Sequence, residues 1–366
     1  MRVLHIETGR HLYGGALQVR YLLEGLTAKG IENILVCPQG SEIAAAAAPF
    51  AVVEEVPMSG EVDPRLLWHL SRIIRRSRPD ILHVHSRRGA DLWGPLAARL
   101  HGVGSVLTRR VDNPEPGWLA RVKYRQFFHV VAISDKIHQV LLNEGISEEH
   151  SSCIHSAVDI ENWQLPRDRE WFREEFGIES DKKIVAVIAQ LIPRKGHRYL
   201  IEAIPKILKK LPNARFLFLG KGPLRDELET LCREKGVTGQ VLFAGFRKDL
   251  PRIMPCIDLV VHPALMEGLG VSLLQAAACG VPIVGTQAGG IPEIVRDGLN
   301  GYLIAPAASS ALADAAVAIL GNTELSQAMG KNGRELVHRN FSVQAMVNAY
   351  REIYLRIPGI PGGKGV

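Results

Sequence analysis

DLVVHPALMEGLGVSLLQAAACGVPIVGT, residues 258–286, decides the fold. Its first apolar run ends at His262-Pro263, a glycine-bearing loop carries Glu267, an alanine-rich helical stretch follows, and VPIVGT forms a second short apolar run. Strand, loop, helix and strand in that order require a parallel pairing, because the chain must cross over before it can pair again. Working outward, KIVAVIAQ (183–190), ARFLFLG (214–220) and QVLFAG (240–245) precede this unit with helical stretches between them. The same cycle fills the N-terminal half, through RVLHIE (2–7), NILVC (33–37), DILHVH (80–85), GSVLT (104–108) and HVVAIS (129–134). Such alternation predicts parallel sheets with helices on both faces.

The cycle breaks over residues 159–182, which include the charged run PRDREWFREE. A chain of 366 residues exceeds what one core usually serves. We therefore expect two doubly wound Rossmann-like domains facing across a cleft, spanning 1–165 and 166–340. Apolar residues spaced i, i+3, i+4 (Met346, Ala349, Tyr350, Ile353, Tyr354) predict a last helix over 341–357, and the proline- and glycine-rich end, 358–366, is expected to be a disordered tail.

Composition narrows the function. A net charge of +6 suits an acidic partner: a phosphate-bearing ligand, an anionic membrane surface or a nucleic acid. Five scattered cysteines form no CxxC pair, which speaks for a reducing cytoplasm and against a disulfide framework or zinc cluster. Neither a secretory leader nor an apolar run of about 18 residues is present, so a peripheral position at a membrane is the only membrane role expected.

The loop and helix start of residues 267–271 carry the clearest chemistry. Backbone amides around Gly268, Leu269, Gly270 and Val271 would bind a diphosphate, since the glycines allow close approach and the helix dipole favours negative charge. Glu267 beside them suits sugar hydroxyls, because a carboxylate accepts two hydrogen bonds from a vicinal diol. Gln275, further along the helix, would reach a ribose.

With these residues the sequence resembles the retaining glycosyltransferases of family 4, which have the GT-B architecture. Their E-G-F-G-x-x-x-x-E-A-x-A-C-G signature reads here E-G-L-G-V-S-L-L-Q-A-A-A-C-G, with Glu267 kept and Gln275 in place of the second acid. Gly14, Gly15 and Leu23, VVAIS (130–134), IHSAVD (154–159), GKGP (220–223) and FAGF (243–246) match further family segments, and the last helix is similar to one that crosses back to the first domain. The resemblance implies that Lys195 binds the diphosphate, with Gln190 standing where the family has arginine and Arg194 a possible substitute. It also implies that Gly245, Phe246 and Arg247 hold the base through their backbone, and that Gly15, with Gly14, meets a phosphate. Arg110 occupies the place of a family histidine near the reacting sugar. It would stabilise negative charge on the donor or bind an anionic acceptor, while His85 is a further cleft candidate and Asp112 the nearest acid.

The implied reaction moves a sugar from a nucleoside-diphosphate sugar, with UDP and GDP as the expected nucleotides, to a saccharide or lipid-linked acceptor in lipopolysaccharide, polysaccharide or glycolipid assembly. No other cofactor is expected, and without a D-x-D sequence no metal. Each residue has a plainer explanation. Lys195 fits a solvated helix start and Glu267 a helix cap, whereas their joint spacing favours function. His83 and His85 share a strand face and are expected to line a polar cleft rather than bind metal.

Basic residues gather at 75–78, at Arg87, Arg88, Arg109 and Arg110, and in PGWLARVKYRQFF (116–128), where Trp118, Leu119, Val122 and Phe127 alternate with Arg121, Lys123 and Arg125. That pattern suits an anionic membrane interface, and equally an amphipathic helix with a solvated basic face. No nucleic-acid reader motif accompanies the charge. Gln190, Gln275 and Arg110 together also motivate a second reading, a GT-B-like scaffold that binds a nucleotide or partner without catalysis.

Overall fold

The computed structural model describes residues 1–58, 60, 63–86 and 89–360. Arg87 and Arg88 of the basic cluster lie outside them. Contacts divide the chain into two units, residues 1–157 with 343–366, and residues 158–342.

The first unit is built on seven parallel strands: β1 (Arg2–Ile6), β2 (Glu32–Pro38), β3 (Val52–Val56), β4 (Ile81–Val84), β5 (Gly104–Arg109), β6 (His129–Ala132) and β7 (Ser151–Cys153), ordered β3-β2-β1-β4-β5-β6-β7. Central strands such as β4 and β6 are buried along their whole length, which is why they read as continuous apolar runs rather than alternating ones. Val3, Ile81, Val106 and Val131 pack beneath Tyr21, Leu22 and Leu26 of the helix Gly14–Thr27 and beneath the last helix, Val343–Leu355. Those two helices meet closely, since a Cβ on Gly25 would lie 2.4 Å from Val347 Cγ2. The last helix buries Met346, Val347, Tyr350, Ile353 and Tyr354 against this core, as the i, i+3, i+4 spacing predicts.

The second unit holds β8 (Lys183–Ile188), β9 (Ala214–Leu219), β10 (Val241–Gly245), β11 (Leu259–His262), β12 (Ile283–Thr286) and β13 (Gly301–Ile304), in the order β10-β9-β8-β11-β12-β13. Phe216, Phe218 and Val261 fill one face with Leu200, Ile204 and Ile207 of the helix His197–Lys210. Burying such side chains stabilises by about 1.5–3 kcal/mol each.

Two boundaries differ from the sequence reading. The units part at 157/158 rather than 165/166, because Val158 N donates to Phe341 O and Trp163 is buried with its carbonyl accepting from Cys279 Sγ, which ties this stretch to the second unit. Ala157 instead exchanges two 2.7 Å hydrogen bonds with the Gln18 amide in the first. The expected tail is described as far as Ile360, which is buried against the first core; residues 361–366 lie outside the described residues. Among the described residues no helix is long and apolar enough to cross a membrane.

Candidate active site

In the second unit the strand order reverses between β8 and β11, and ligands of doubly wound sheets bind at the carboxyl ends of strands flanking such a point. The loops leaving these two strands are stitched together. Leu265 N donates to Arg194 O at 2.8 Å, and Gly196, at φ 67°, lies so close that a Cβ there would sit 1.9 Å from Pro263 O. This approach delivers Lys195 to Glu267, with Lys195 Nζ 2.5 Å from Glu267 Oε2 and both side chains only about a tenth exposed.

Glu267 is held on three further sides. His262 Nε2, at the end of β11, donates to the same Oε2 at 2.6 Å; Gly268 N donates to Oε1 at 3.1 Å; and Gly290 N donates to the main-chain oxygen at 3.1 Å. Gly289 passes still closer, since a Cβ there would lie 1.7 Å from that oxygen. Burial pushes the Glu267 carboxyl up, but the hydrogen bond and charge of His262 and the charge of Lys195 outweigh it and hold the group well below the usual carboxylate range.

The helix Val271–Ala278 starts beside this pair. Its N-cap, Gly270 at φ 98°, offers no side-chain acceptor, and its first turn has no acidic residue. The start of this helix is thus suited to an anion, with Gly268 and Leu269 buried just before it. Gln275 is buried on the same helix. Gln190 is exposed and Arg194 half-buried on the loop after β8. Gly245 ends β10 at φ 69°, Phe246 is partly exposed, and the Arg247 side chain is committed to Glu175 and Asp249 at 2.5 Å each.

The first unit brings Gly14, Gly15 and Arg110 to the carboxyl end of its own sheet. Gly14 and Gly15 open the helix Gly14–Thr27, and a Cβ on Gly15 would lie 3.5 Å from Arg110 Cδ. Arg110 Nε donates to His85 O at 3.2 Å. No sequence motif marks Glu7, which is buried nearby; desolvation raises its carboxyl, opposed by the Arg110 charge and by hydrogen bonds to Gly9, Ser86 and Thr8.

His85 requires a correction. Its imidazole is fully buried and does not line a cleft. Nε2 meets His5 Nδ1 at 2.9 Å, and His5 Nε2 meets Asn33 Oδ1 at 3.2 Å. His83, likewise buried, bonds Tyr354 at 2.6 Å and Thr108 at 2.8 Å, and Thr108 bonds Tyr350 at 2.9 Å. Three histidines therefore cluster where two were anticipated, with ring nitrogens within 4.8 Å of one another. Both nitrogens of His5 and of His83 are engaged in hydrogen bonds, so the cluster is a network docking the last helix on the sheet. His85 contributes its carbonyl to Arg110, and its ring is part of the buried cluster.

The basic segment divides as well. Trp118, Leu119 and Val122 are exposed on the helix Gly117–Tyr124 beside exposed Arg121 and Arg125. Phe127 is a core residue, Lys123 is paired with Asp91 and Glu115, and Arg109 is buried against Glu144, so these three leave the basic face.

Comparison with known proteins gives the family and the fold. Family models described as Glycosyl transferases group 1 and Glycosyltransferase Family 4 match residues 168–336 and 13–162. A GDP-mannose-dependent alpha-(1-6)-phosphatidylinositol monomannoside mannosyltransferase of Mycolicibacterium smegmatis is 33% identical over 290 residues, 74% of this chain and 75% of that one. The N-acetyl-alpha-D-glucosaminyl L-malate synthase of Bacillus anthracis is 28% identical over 301 residues, 80% of this chain and 78% of that one. Anabaena HepE, solved in complex with UDP and glucose, shares the fold with a TM-score of 0.85 at 20% identity, over 96% of this chain and 99% of that one. The protein belongs to the group 1, family 4 glycosyltransferases of the GT-B fold, enzymes that transfer sugars from nucleotide sugars.

Proposed function

We propose that the enzyme transfers a sugar with retention of anomeric configuration from a UDP- or GDP-sugar to a saccharide or lipid-linked acceptor, in lipopolysaccharide, polysaccharide or glycolipid assembly. The observation that carries this reading is the Lys195–Glu267 pair beside the uncapped start of the helix Val271–Ala278. Lys195 and the amides of 268–271 bind the diphosphate, Glu267 the sugar hydroxyls and Gln275 the ribose. The backbone of Gly245, Phe246 and Arg247 takes the base. Gly14 and Gly15 meet a phosphate, and Arg110 takes an anionic group on the acceptor. The sugar's bond to the diphosphate breaks as the acceptor oxygen bonds the same face of the anomeric carbon, and the acceptor's proton passes to the departing diphosphate. Positioning and charge stabilisation are then the protein's whole task.

The mannosyltransferase relative supports a GDP-sugar and a lipid acceptor, and the HepE complex supports UDP. The exposed Trp118, Leu119 and Val122 with Arg121 and Arg125 support a peripheral position at the cytoplasmic face of an anionic membrane. The test is a thermal-shift panel of UDP-, GDP-, ADP- and CMP-sugars without metal, followed by NMR of the product's anomeric configuration. One donor should raise the melting temperature, and Glu267→Ala should abolish the shift. No response to any donor from folded protein would leave the non-catalytic scaffold as the better reading.

A further inference from the structure

We propose that His262 is a positioning residue for donor-sugar recognition, fixing the Glu267 carboxylate once Lys195 turns to the diphosphate. The inference rests on the reading above, in which Glu267 binds the sugar hydroxyls.

Glu267 Oε2 receives two donors, Lys195 Nζ at 2.5 Å and His262 Nε2 at 2.6 Å. Ligand binding acts on them differently. Lysine is a point charge on a flexible stem, free to shift from the carboxylate toward a phosphate. His262 cannot follow. It is the last residue of β11, paired in register with Gly285 of β12, and 2% exposed. Among the described residues its buried Nδ1 has no hydrogen-bond partner and Glu267 is the imidazole's single polar anchor. Because Nε2 faces a carboxylate, that nitrogen carries the proton.

A buried ring nitrogen without a partner costs stability, and an apolar residue at this strand end would avoid that cost. The other nitrogen supplies the reason for a histidine. Without His262, a buried carboxylate that lost Lys195 would keep only the Gly268 amide, on Oε1. It would then be free to rotate about its last bond. His262 removes that freedom, leaving the remaining lone pairs aimed at the sugar. Site groups held by such fixed partners keep their working geometry.

The test compares binding of a nucleotide with that of its sugar, using UDP against UDP-glucose and GDP against GDP-mannose, by calorimetry on the full chain. In His262→Phe the nucleoside diphosphate should bind within about twofold of wild type, while the nucleotide sugar weakens about tenfold or more, the size expected for losing a hydrogen bond to a charged group. His262→Gln, whose amide nitrogen falls near the Nε2 position, should restore most of the loss. His262→Asn, too short to reach, should not. Equal weakening of nucleotide and nucleotide sugar would overturn the proposal, as would an undiminished sugar increment in His262→Phe. If the phenylalanine variant does not fold, the contrast between Gln and Asn decides by the same criterion. Glu267→Ala separates the two levels. If it too keeps the sugar increment, the assignment of Glu267 itself fails; if it loses the increment while His262→Phe keeps it, only the role of His262 does.

Discussion

The two sheets reverse strand order at the same place in their topology, yet they use polar residues there in opposite ways. In the second unit, the loops after β8 and β11 bring a lysine, a glutamate and a histidine into one charged cluster at the strand ends. In the first, the corresponding strands β1 and β4 carry His5 and His83 into the interior, with His85 just past the end of β4, and burial holds all three imidazoles neutral. One set of polar groups is stabilised by opposite charges at the candidate site. The other is stabilised by hydrogen bonds inside a core, and serves to dock the last helix.

The largest consequence of this contrast is acid sensitivity. His5 titrates at about 3 in the fold, against 6.5 in the unfolded chain, because burial disfavours its charged form. Between those values the unfolded state binds a proton that the folded state does not, so the stability present above pH 6.5 is lost as the pH falls. At pH 5 this is roughly 2 kcal/mol for a single such histidine. The first unit adds His83 and His85, lowered by burial and by neighbouring positive groups, and His129, lowered to about 4. Glu7, raised by burial, opposes this trend in part. The second unit has His197, lowered to about 3, while its depressed Glu267 loses stability only below the ordinary carboxylate range. Hydrogen exchange at pH 7 and pH 5 should therefore show β1, β4 and the last helix losing several kcal/mol of protection, and β8 and β9 clearly less. Equal losses in the two units would break the comparison.

Next in size is the effect of Lys195→Ala. Removing a charge that stabilises a leaving diphosphate lowers turnover about 10²–10³-fold, near 3–4 kcal/mol of barrier. Glu267 keeps His262 as a partner, so the unfolding midpoint should move little. A variant with full transferase activity, measured from initial rates, would remove Lys195 from the phosphate site.

The same contrast explains what could be read from the sequence. Strands buried on both faces announce themselves as runs such as VVAI and IVAVI, and the glycines around Glu267 mark a close backbone approach, so the fold and the meeting of the loops that carry Lys195 and Glu267 are legible. The alternation of His83 and His85 assigns them to one face, but alternation does not say what covers that face. The cover is Tyr350 and Tyr354, and His83 is 271 residues from its partner Tyr354. His5, from the neighbouring strand β1, joins through the register of the sheet, His5 opposite His83, which no local pattern encodes. The hydrogen bond of His262 to Glu267 was hidden for a different reason. The two lie five residues apart, but the loop returns on itself only because Gly289 and Gly290 receive the Glu267 carbonyl from a later strand's end.

The smallest effect separates the glycines of the two units. At Gly289 a Cβ would fall 1.7 Å from Glu267 O, at a backbone φ of 54° that disfavours side chains, so Gly289→Ala must displace the Glu267 loop. The expected cost is about 1–3 kcal/mol of stability, with donor binding impaired as well. At Gly15 the nearest atom to a Cβ is Arg110 Cδ at 3.5 Å, an ordinary contact with a side chain that can shift. Gly15→Ala should thus change stability by less than about 0.5 kcal/mol. Urea denaturation of both variants measures the difference. If Gly15→Ala is tolerated by the fold yet slows transfer, the space over Gly15 is needed by a ligand; if it changes neither, the glycines of the first unit's loop serve only the turn into its helix.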